Sequence, residues 1–330
     1  MSMKNNIYPW QYELKEGLEK MVERLPHAIL IHGPMGVGKL ALAEYFAQRL
    51  LCESPEPGAA PCGRCEGCRW VTAGSHPDFR RVEPEALARR PEDAEADDEA
   101  GGASPKAGKP STEIKVEQIR DLDGFLNIGS HRAHRRIALI HPAEDMNANA
   151  ANALLKGLEE PPAGAFFLLV SHRPARLLPT IRSRCVALPV GLPDAAVAVS
   201  WLEAQNVRES RKWLAYASGA PLAALELAQE GSPAATKLRA ALDAKDLDTL
   251  RAVNDRESLE ALAEALQKYA LDRAFGVLGG RSKYGSARPG GSGQAWLRFA
   301  RLMGRNRALA RHPLNPRLFA GEMLAEMPED

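Results

Sequence analysis

Short apolar runs alternate with helical stripes over the first part of the chain. Residues 28–31 (AILI) form a continuous apolar run that leads into a glycine-rich turn, which predicts a buried strand. A helix is predicted next over 38–51, because large apolar residues recur every four positions on one face. Further strands are predicted at 137–140, 166–170 and 186–188, with helical patterns between them. Strands that alternate with helices predict a parallel sheet covered by helices, so we expect an α/β domain over about 1–190.

After residue 193 the strand signal ends and helical patterns follow one another. Three short helices, predicted over 194–205, 210–218 and 222–230, indicate a small three-helix domain over 191–232. Two longer patterns, 257–278 and 294–311, predict an all-α domain over 233–330.

A break in composition falls inside the predicted α/β domain. Between Glu83 and Thr112 the chain is rich in Glu, Asp, Ala, Gly, Pro and Lys, and residues 91–99 include six acidic and no basic residues. Such a segment cannot bury enough apolar surface to offset the entropy of ordering it, which predicts a disordered insertion over 83–112. An acidic segment that attracts a basic partner is the alternative interpretation.

Residues 33–40 (GPMGVGKL) match the Walker A pattern of phosphate-binding loops at every position except the last. Gly33, Gly36 and Gly38 allow backbone N–H groups to turn toward a phosphate, and Lys39 is expected to reach the terminal phosphates. These four residues are the candidate cofactor-binding set. The last position of the pattern needs a hydroxyl that binds Mg²⁺, and Leu40 has none.

The acidic residues of a nucleotide-hydrolysing site are missing as well. The strand over 137–140 is expected to end in Asp followed by Glu, whereas it ends in His141-Pro142. We therefore expect that this chain does not hydrolyse ATP, with or without bound Mg²⁺. Two interpretations of the loop stay open, namely nucleotide binding without hydrolysis and a turn that serves only its tight backbone path.

Four of the five cysteines stand close together, at Cys52, Cys62, Cys65 and Cys68. Four soft thiolates suit a closed tetrahedral Zn²⁺ site, so we predict a structural zinc module over about 52–80. Two alternatives compete with this interpretation. A redox-active cysteine pair would leave two of the four thiols without a role, and an iron–sulfur cluster would need a partner for electron transfer, which the sequence does not provide. Cys185 stands apart and is interpreted as a small buried apolar residue.

Charge and hydropathy exclude several classes of protein. Lys and Arg number 43 against 42 Asp and Glu, and a net charge of +1 provides no global field for a polyanion. The longest stretch without these residues, 25–38, is 14 residues long and too short to cross a bilayer. The polar start lacks the apolar core of a signal peptide, so we expect a cytoplasmic protein. A basic run at 131–136 is interpreted either as a contact to DNA phosphates or as a solvated loop.

Three segments together resemble the bacterial clamp-loader family of AAA+ proteins, namely 25–28 (LPHA), 152–162 (NALLKGLEEPP) and 181–185 (IRSRC). The likeness implies an AAA+ (RecA-like) parallel-sheet domain with an inserted zinc module. A small three-helix lid domain and an all-α collar domain for oligomerisation are implied to follow. The likeness also implies a hetero-pentameric ring with motor (gamma/tau) and delta clamp-loader subunits, which loads the sliding clamp on primed DNA.

Within this family, the departures at Leu40, His141 and Pro142 resemble a ring member that does not hydrolyse ATP. Leu222 stands where the family has an arginine that senses ATP, which is a departure of the same kind. The family's Ser-Arg-Cys motif implies that Arg184 is a catalytic arginine finger, which acts in trans on a neighbour's ATP. An ordinary surface ion pair of Arg184 is the alternative.

Two other functions stay open at this point. A standalone AAA+ ATPase with an atypical metal site would turn over ATP by itself. A zinc-bearing regulator that binds nucleic acid would show a DNA affinity that falls steeply with salt. DNA-directed DNA polymerase activity is expected only of an assembly, because this chain has no cluster of carboxylates that could hold two catalytic metals.

Overall fold

The computed structural model describes residues 7–54, 61–88, 110–127, 135–229, 234–280, 290–310, 312 and 314–328. The chain divides into two compact units, Met1–Val197 and Ala198–Asp330. The first unit is built on a parallel sheet, and the second consists of helices. Among the described helices, none has both the length and the apolar character that a membrane crossing requires.

The sheet of the first unit has five parallel strands in the order β2-β3-β4-β1-β5. The strands are β1 (Ala28–His32), β2 (Phe79–Val82), β3 (Arg136–Ile140), β4 (Ala165–Ser171) and β5 (Val186–Pro189). Strand β1 lies between β4 and β5, with Ile29 opposite Leu168 on one side and Val186 on the other. The carboxyl ends of these strands therefore meet at one edge, where the predicted phosphate loop begins.

The four predicted strands are confirmed as β1, β3, β4 and β5, and strand β2 was missed. Phe79 and Val82 are buried, but Arg80 and Arg81 between them are exposed. This short edge strand therefore has neither a continuous apolar run nor a strict alternation of apolar and polar residues. It forms because Phe79 to Val82 pair in register with Ile137 to Ile140 of β3.

Helices cover both faces of the sheet. They are α1 (Tyr12–Met21), α2 (Lys39–Leu51), α3 (Glu66–Ala73), α4 (Glu85–Ala88), α5 (Val116–Asn127), α6 (Ala148–Glu159) and α7 (Pro179–Arg182). Ala28 and Leu30 join a core cluster with α5 and α6, and the alternate residues Ile29 and Ile31 are buried on the opposite face. Burial of β1 on both faces explains why its sequence is a continuous apolar run.

The segment predicted as a disordered insertion, 83–112, lies only partly within the described residues. Residues 85–88 form helix α4, and the Ala86 N–H donates to the Ser111 carbonyl over 3.0 Å. Glu85 also pairs with Lys115 at 2.7 Å, so both ends of the segment are tied to the unit. Residues 89–109 lie outside the described part.

The second unit is helical, as predicted. Its helices are α8 (Ala195–Ala204, which begins just before the unit), α9 (Ser210–Tyr216), α10 (Pro221–Gln229), α11 (Ala234–Ala244), α12 (Leu247–Arg251), α13 (Arg256–Val277), α14 (Gly293–Leu309) and α15 (Pro316–Ala325). Leu202, Leu214 and Ala224 form a small cluster across α8 to α10. A larger cluster surrounds Trp296 and joins α11 to α15. The helices of the second unit therefore contain two hydrophobic clusters, one across α8 to α10 and one across α11 to α15.

Two glycine substitutions test the packing at the end of β1. Gly33 has a φ of 149°, and a Cβ there would lie 2.0 Å from the Val190 carbonyl oxygen. We expect Gly33→Ala to lower the free energy of unfolding by at least about 3 kcal/mol, because neither backbone can give way. Gly17→Ala is the matched control, since a Cβ at this position in helix α1 meets no atom within 4 Å. It should instead stabilise by about 0.5–1 kcal/mol.

Thermal unfolding followed by circular dichroism measures both changes. A Gly33→Ala protein as stable as the unsubstituted chain would contradict this packing of the loop.

Candidate functional site

The phosphate-loop sequence forms a tight turn between β1 and α2. Gly33, Gly36 and Gly38 have φ values of 149°, 77° and 82°, a backbone region that residues with a Cβ rarely adopt. Gly38 is the residue before the first turn of α2 and has the left-handed conformation. The structure therefore brings together the backbone parts of a phosphate loop, as the spacing predicted.

A segment before helix α1 lies against this loop. The Trp10 indole N–H donates to the Val37 carbonyl over 3.0 Å, and the Gln11 amide donates to the carbonyls of Val37 and Gly38 over 3.0 and 2.9 Å. Gln11 is completely buried. The Tyr8 ring also contacts Gly38, because a Cβ at Gly38 would lie 2.5 Å from its ring carbons. The chain therefore satisfies the carbonyls of the loop with its own side chains.

Sequence reasoning missed this contact. The residues that make it are 26 and 27 positions apart, and no periodic pattern connects them. The one available signal is the pair of aromatic residues, Tyr8 and Trp10, just before a helical pattern. Their rings stack in the structure, with centroids 5.0 Å apart.

Lys39 is buried, with 2% of its surface exposed, and its ammonium donates to the Pro34 carbonyl of the same loop. Burial lowers the pKa of Lys39 to about 8, and the nearby Glu144 carboxylate opposes this change. The side chain is thus engaged with the loop itself, in the position from which it was predicted to reach phosphates.

Two imidazoles occupy the ends of β3 and β4 beside this lysine. The rings of His141 and His172 meet edge to face, with centroids 5.3 Å apart. Burial lowers the pKa of His141 to about 3, and the Arg81 and Lys39 charges add to the effect. Burial also lowers the pKa of His172. Both rings are therefore neutral at physiological pH. Neutral imidazoles are poor ligands for Mg²⁺, which prefers oxygen.

Glu144 is a carboxylate that the sequence pattern did not single out. Its Oε1 accepts a hydrogen bond of 2.8 Å from the His172 backbone N–H. Its Oε2 and the Nδ1 atoms of His141 and His172 are buried without a hydrogen-bond partner among the described residues. His141 stands at the position where a hydrolysing site has the first residue of its acidic pair. Glu144, three positions further on, accepts a hydrogen bond from the backbone just after β4.

The four clustered cysteines converge in the structure, as their spacing predicted. Their sulfur atoms all lie within 4.8 Å of one another, and the sulfurs of Cys62 and Cys68 are 3.9 Å apart. In a tetrahedral site with Zn–S bonds of about 2.3 Å, the sulfur atoms are about 3.8 Å apart. Backbone N–H groups donate to three of the sulfurs, at 3.4 Å from Cys62 to Cys52, 3.3 Å from Cys65 to Cys62 and 3.3 Å from Cys68 to Cys65. The distances and donors fit a zinc ion.

The cysteine thiols differ in how readily they become thiolates. The backbone N–H groups of Arg64 and Cys65 lower the pKa of Cys62 to about 6. Burial raises the pKa of Cys52 and of Cys68, so a divalent cation would have to offset the cost of holding these two as thiolates. His76 lies outside the cluster, and its Nδ1 accepts from the Asp78 N–H over 3.0 Å.

Arg184 follows helix α7 and is half-exposed. Its Nη1 donates to the Thr180 carbonyl over 2.9 Å, and its Nη2 lies 2.7 Å from the Glu159 carboxylate. Among the described residues it has no hydrogen bond or ion pair to the phosphate loop or to the cysteine cluster. The next residue, Cys185, packs against the core, and burial raises the pKa of its thiol to about 11, which agrees with the interpretation as an apolar residue.

The basic run at 131–136 is only partly described. Arg136 begins β3, is buried, and donates to the Phe125 carbonyl over 2.7 Å. The Arg136 side chain therefore binds the backbone of its own unit. Residues 131–134 lie outside the described part of the chain.

The fold and the site together define a parallel α/β domain with a degenerate phosphate loop and a four-cysteine cluster. Residues 10–192 match the family model described as DNA polymerase III, delta subunit. This match covers more than half of the chain, and the chain belongs to that family.

Relatives with the name DNA polymerase III subunit delta' share this region. The chain is 42% identical to the one from Pseudomonas aeruginosa over 230 residues, 68% of this chain and 62% of that protein. It is 34% identical to the one from Escherichia coli K12 over 230 residues, 67% of this chain and 61% of that protein. The aligned part thus spans about three fifths of the length of these relatives.

Among solved structures, a DNA polymerase III gamma subunit-related protein from Thermotoga maritima aligns with a TM-score of 0.44 and 18% identity. The alignment covers 94% of this chain and 97% of that one. The RuvB Holliday junction branch migration motor of Thermotoga maritima aligns with a TM-score of 0.39 and 15% identity, over 84% of this chain and 82% of that one.

Replacement of one cysteine tests the metal cluster. We expect the purified chain to contain about one equivalent of zinc, and Cys65→Ser to lose it, because three thiolates no longer close the tetrahedron. Cys185→Ser is the matched control, since Cys185 lies outside the cluster, and it should retain the metal. Plasma mass spectrometry of the pure proteins measures the content. A folded, metal-free chain would contradict the assignment.

The buried ammonium of Lys39 predicts a pH-dependent gain in stability on its removal. Its folded-state pKa of about 8 lies below the ordinary value of 10.5, so the unfolded chain binds more protons between these two pH values. The cost of burying the charge is therefore largest below about pH 8 and declines as the pH rises through that window. We expect Lys39→Met to raise Tm by about 2–4 °C at neutral pH and by less near pH 10.

Lys156→Met serves as the control for the same chemical change at an exposed lysine, where Tm should hardly move. A fall in Tm of Lys39→Met at neutral pH would mean that the hydrogen bond to Pro34 outweighs the cost of burial.

Proposed function

We propose that the chain acts as the delta-prime subunit of the DNA polymerase III clamp loader. In this role it occupies one place in a hetero-pentameric ring with motor (gamma/tau) and delta subunits, and the ring loads the sliding clamp on primed DNA during chromosomal replication. The observation that carries this proposal is family membership over residues 10–192, together with relatives named delta'. Polymerase activity belongs to the larger assembly and not to this chain.

The domain organisation follows from the same proposal. The sheet unit corresponds to the AAA+ module over about 1–190, with the four-cysteine cluster as a structural zinc module inserted after α2. Helices α8 to α10 correspond to the lid domain over 191–232, and α11 to α15 to the collar domain over 233–330. The separate cores around Leu202 and Trp296 support this division.

The proposed subunit does not hydrolyse ATP. Leu40 offers no hydroxyl for Mg²⁺, and His141-Pro142 replaces the acidic pair that holds the metal and activates water. Lys39 is engaged with its own loop. Each change removes a different part of the chemistry, so their combination leaves no route to an activated water at this site.

Arg184 supplies chemistry to a neighbouring subunit instead. A guanidinium is permanently charged and planar, so it can stabilise negative charge that develops on a transferring γ-phosphate without a change in protonation. Arg184 is half-exposed at the surface of the sheet unit, which leaves it accessible to another subunit. Zinc has no catalytic part in this function, because four thiolates leave no open position for water or substrate.

Loss of this arginine should slow the motor and leave the ring intact. In the reconstituted clamp loader, we expect Arg184→Ala to reduce DNA-stimulated ATP turnover by at least about tenfold, since arginine fingers contribute about 10³–10⁵ in rate where they have been removed in GTPases. Arg182→Ala, an exposed arginine two positions earlier, should have turnover close to that of the unsubstituted ring. Size-exclusion chromatography confirms equal assembly.

Unchanged turnover with Arg184→Ala in an intact ring would reduce Arg184 to a surface residue. It would also remove the proposed catalytic contribution of this chain to the ring.

A further inference from the structure

We propose that Glu159 is a positioning residue for Arg184, which orients the guanidinium toward a neighbouring subunit's nucleotide. This inference rests on the proposed function, in which Arg184 acts in trans. Glu159 lies at the end of helix α6, 25 positions before the arginine, and its Oε1 is 2.7 Å from the Arg184 Nη2.

The guanidinium is held at both of its terminal nitrogens. Glu159 accepts at Nη2, and the Thr180 carbonyl accepts at Nη1 over 2.9 Å. A guanidinium has five N–H donors, and these two contacts use one donor on each terminal nitrogen. Among the described residues the other three donors have no partner. The two contacts, which we call the brace, therefore restrain the plane of the group and leave it able to bind phosphate oxygens.

The two sides of the brace belong to a rigid frame. Leu158, which precedes Glu159, is buried in the same core cluster as Ile181, which follows Thr180. Because helices α6 and α7 are anchored in one core, the backbones of Glu159 and Thr180 have a fixed separation. Both groups that contact the guanidinium are thereby supplied by the fold of this chain itself.

The contact contributes little to stability. The side chains of Arg184 and Glu159 are 34% and 50% exposed, and ion pairs of this kind contribute about 0–1 kcal/mol. A carboxylate at the carboxyl end of a helix is also unfavourable toward the helix dipole. Glu159 can therefore be changed with little effect on folding, so an effect on the motor's rate would report the orientation of Arg184.

The neighbouring Glu160 provides a matched control. It is also an exposed glutamate, one position further along, and no ion pair connects it with the described residues. Replacing Glu160 removes the same charge from nearly the same place without removing the contact to Nη2. A general electrostatic effect on the interface would therefore appear in both variants, and a positioning effect would appear in one.

The experiment measures DNA-stimulated ATP turnover of the reconstituted ring with Glu159→Ala, Glu159→Gln, Glu160→Ala, Arg184→Ala and the double variant Glu159→Ala/Arg184→Ala. We expect Glu159→Ala to lower kcat by about tenfold with an unchanged KM for ATP, because misplacement of a reacting group by about 1 Å is costly. Glu159→Gln should recover much of the rate, since its amide oxygen still accepts from Nη2. The double variant should be no slower than Arg184→Ala alone.

The outcomes separate this inference from the proposed function. If Arg184→Ala slows the ring and Glu159→Ala does not, the positioning role is wrong while the finger stands. An increase in kcat with Glu159→Ala would also overturn positioning, because the carboxylate would then be restraining the arginine. If Arg184→Ala itself has no effect, the proposed function of Arg184 fails and the inference fails with it.

Discussion

Parallel pairing of β1 with both β4 and β5 determines where the chain leaves the sheet, and the site depends on that exit. The Gly33 N–H donates to the Ser171 carbonyl at the end of β4, and its α-carbon passes against the Val190 carbonyl just after β5. Only a residue without a Cβ fits between these two backbones. From this point the loop turns into α2, and the orientation of Lys39 follows from it. The burial of β1 on both faces fixes the register on which this passage depends.

The same loop is held in place by hydrogen bonds from its own chain. Trp10 and Gln11 donate to the carbonyls of Val37 and Gly38, and Lys39 donates to the Pro34 carbonyl, whereas a phosphate loop binds its ligand through backbone N–H groups. The hydrogen bonds are made within the chain, and the glycines still serve the tight turn. In the function that we propose, the chain keeps the fold of a nucleotide-binding unit and contributes chemistry through Arg184 at its surface.

Local patterns in the sequence predicted much of the fold. The apolar runs of β1, β3, β4 and β5 and the periodic stripe of α2 are short-range signals, and the spacing of the cysteines predicted a cluster that the structure brings together. Strand β2 was missed because Arg80 and Arg81 interrupt its apolar character, and pairing with β3 stabilises it. The contacts of Gln11 with the loop, of Glu144 with β4 and of Glu159 with Arg184 join positions 25 or more residues apart. Such contacts follow from the packing of elements, so no local pattern could predict them.

Mg²⁺-dependent ATP turnover by the purified chain alone tests the central claim most directly. If Leu40 and His141-Pro142 leave the site without its metal-binding residues, turnover should equal that of a Lys39→Met control, within the sensitivity of the assay. Turnover above this control, with strict dependence on Mg²⁺, would contradict the account. It would show that the chain is an ATPase in its own right, with Glu144 as the first carboxylate to examine.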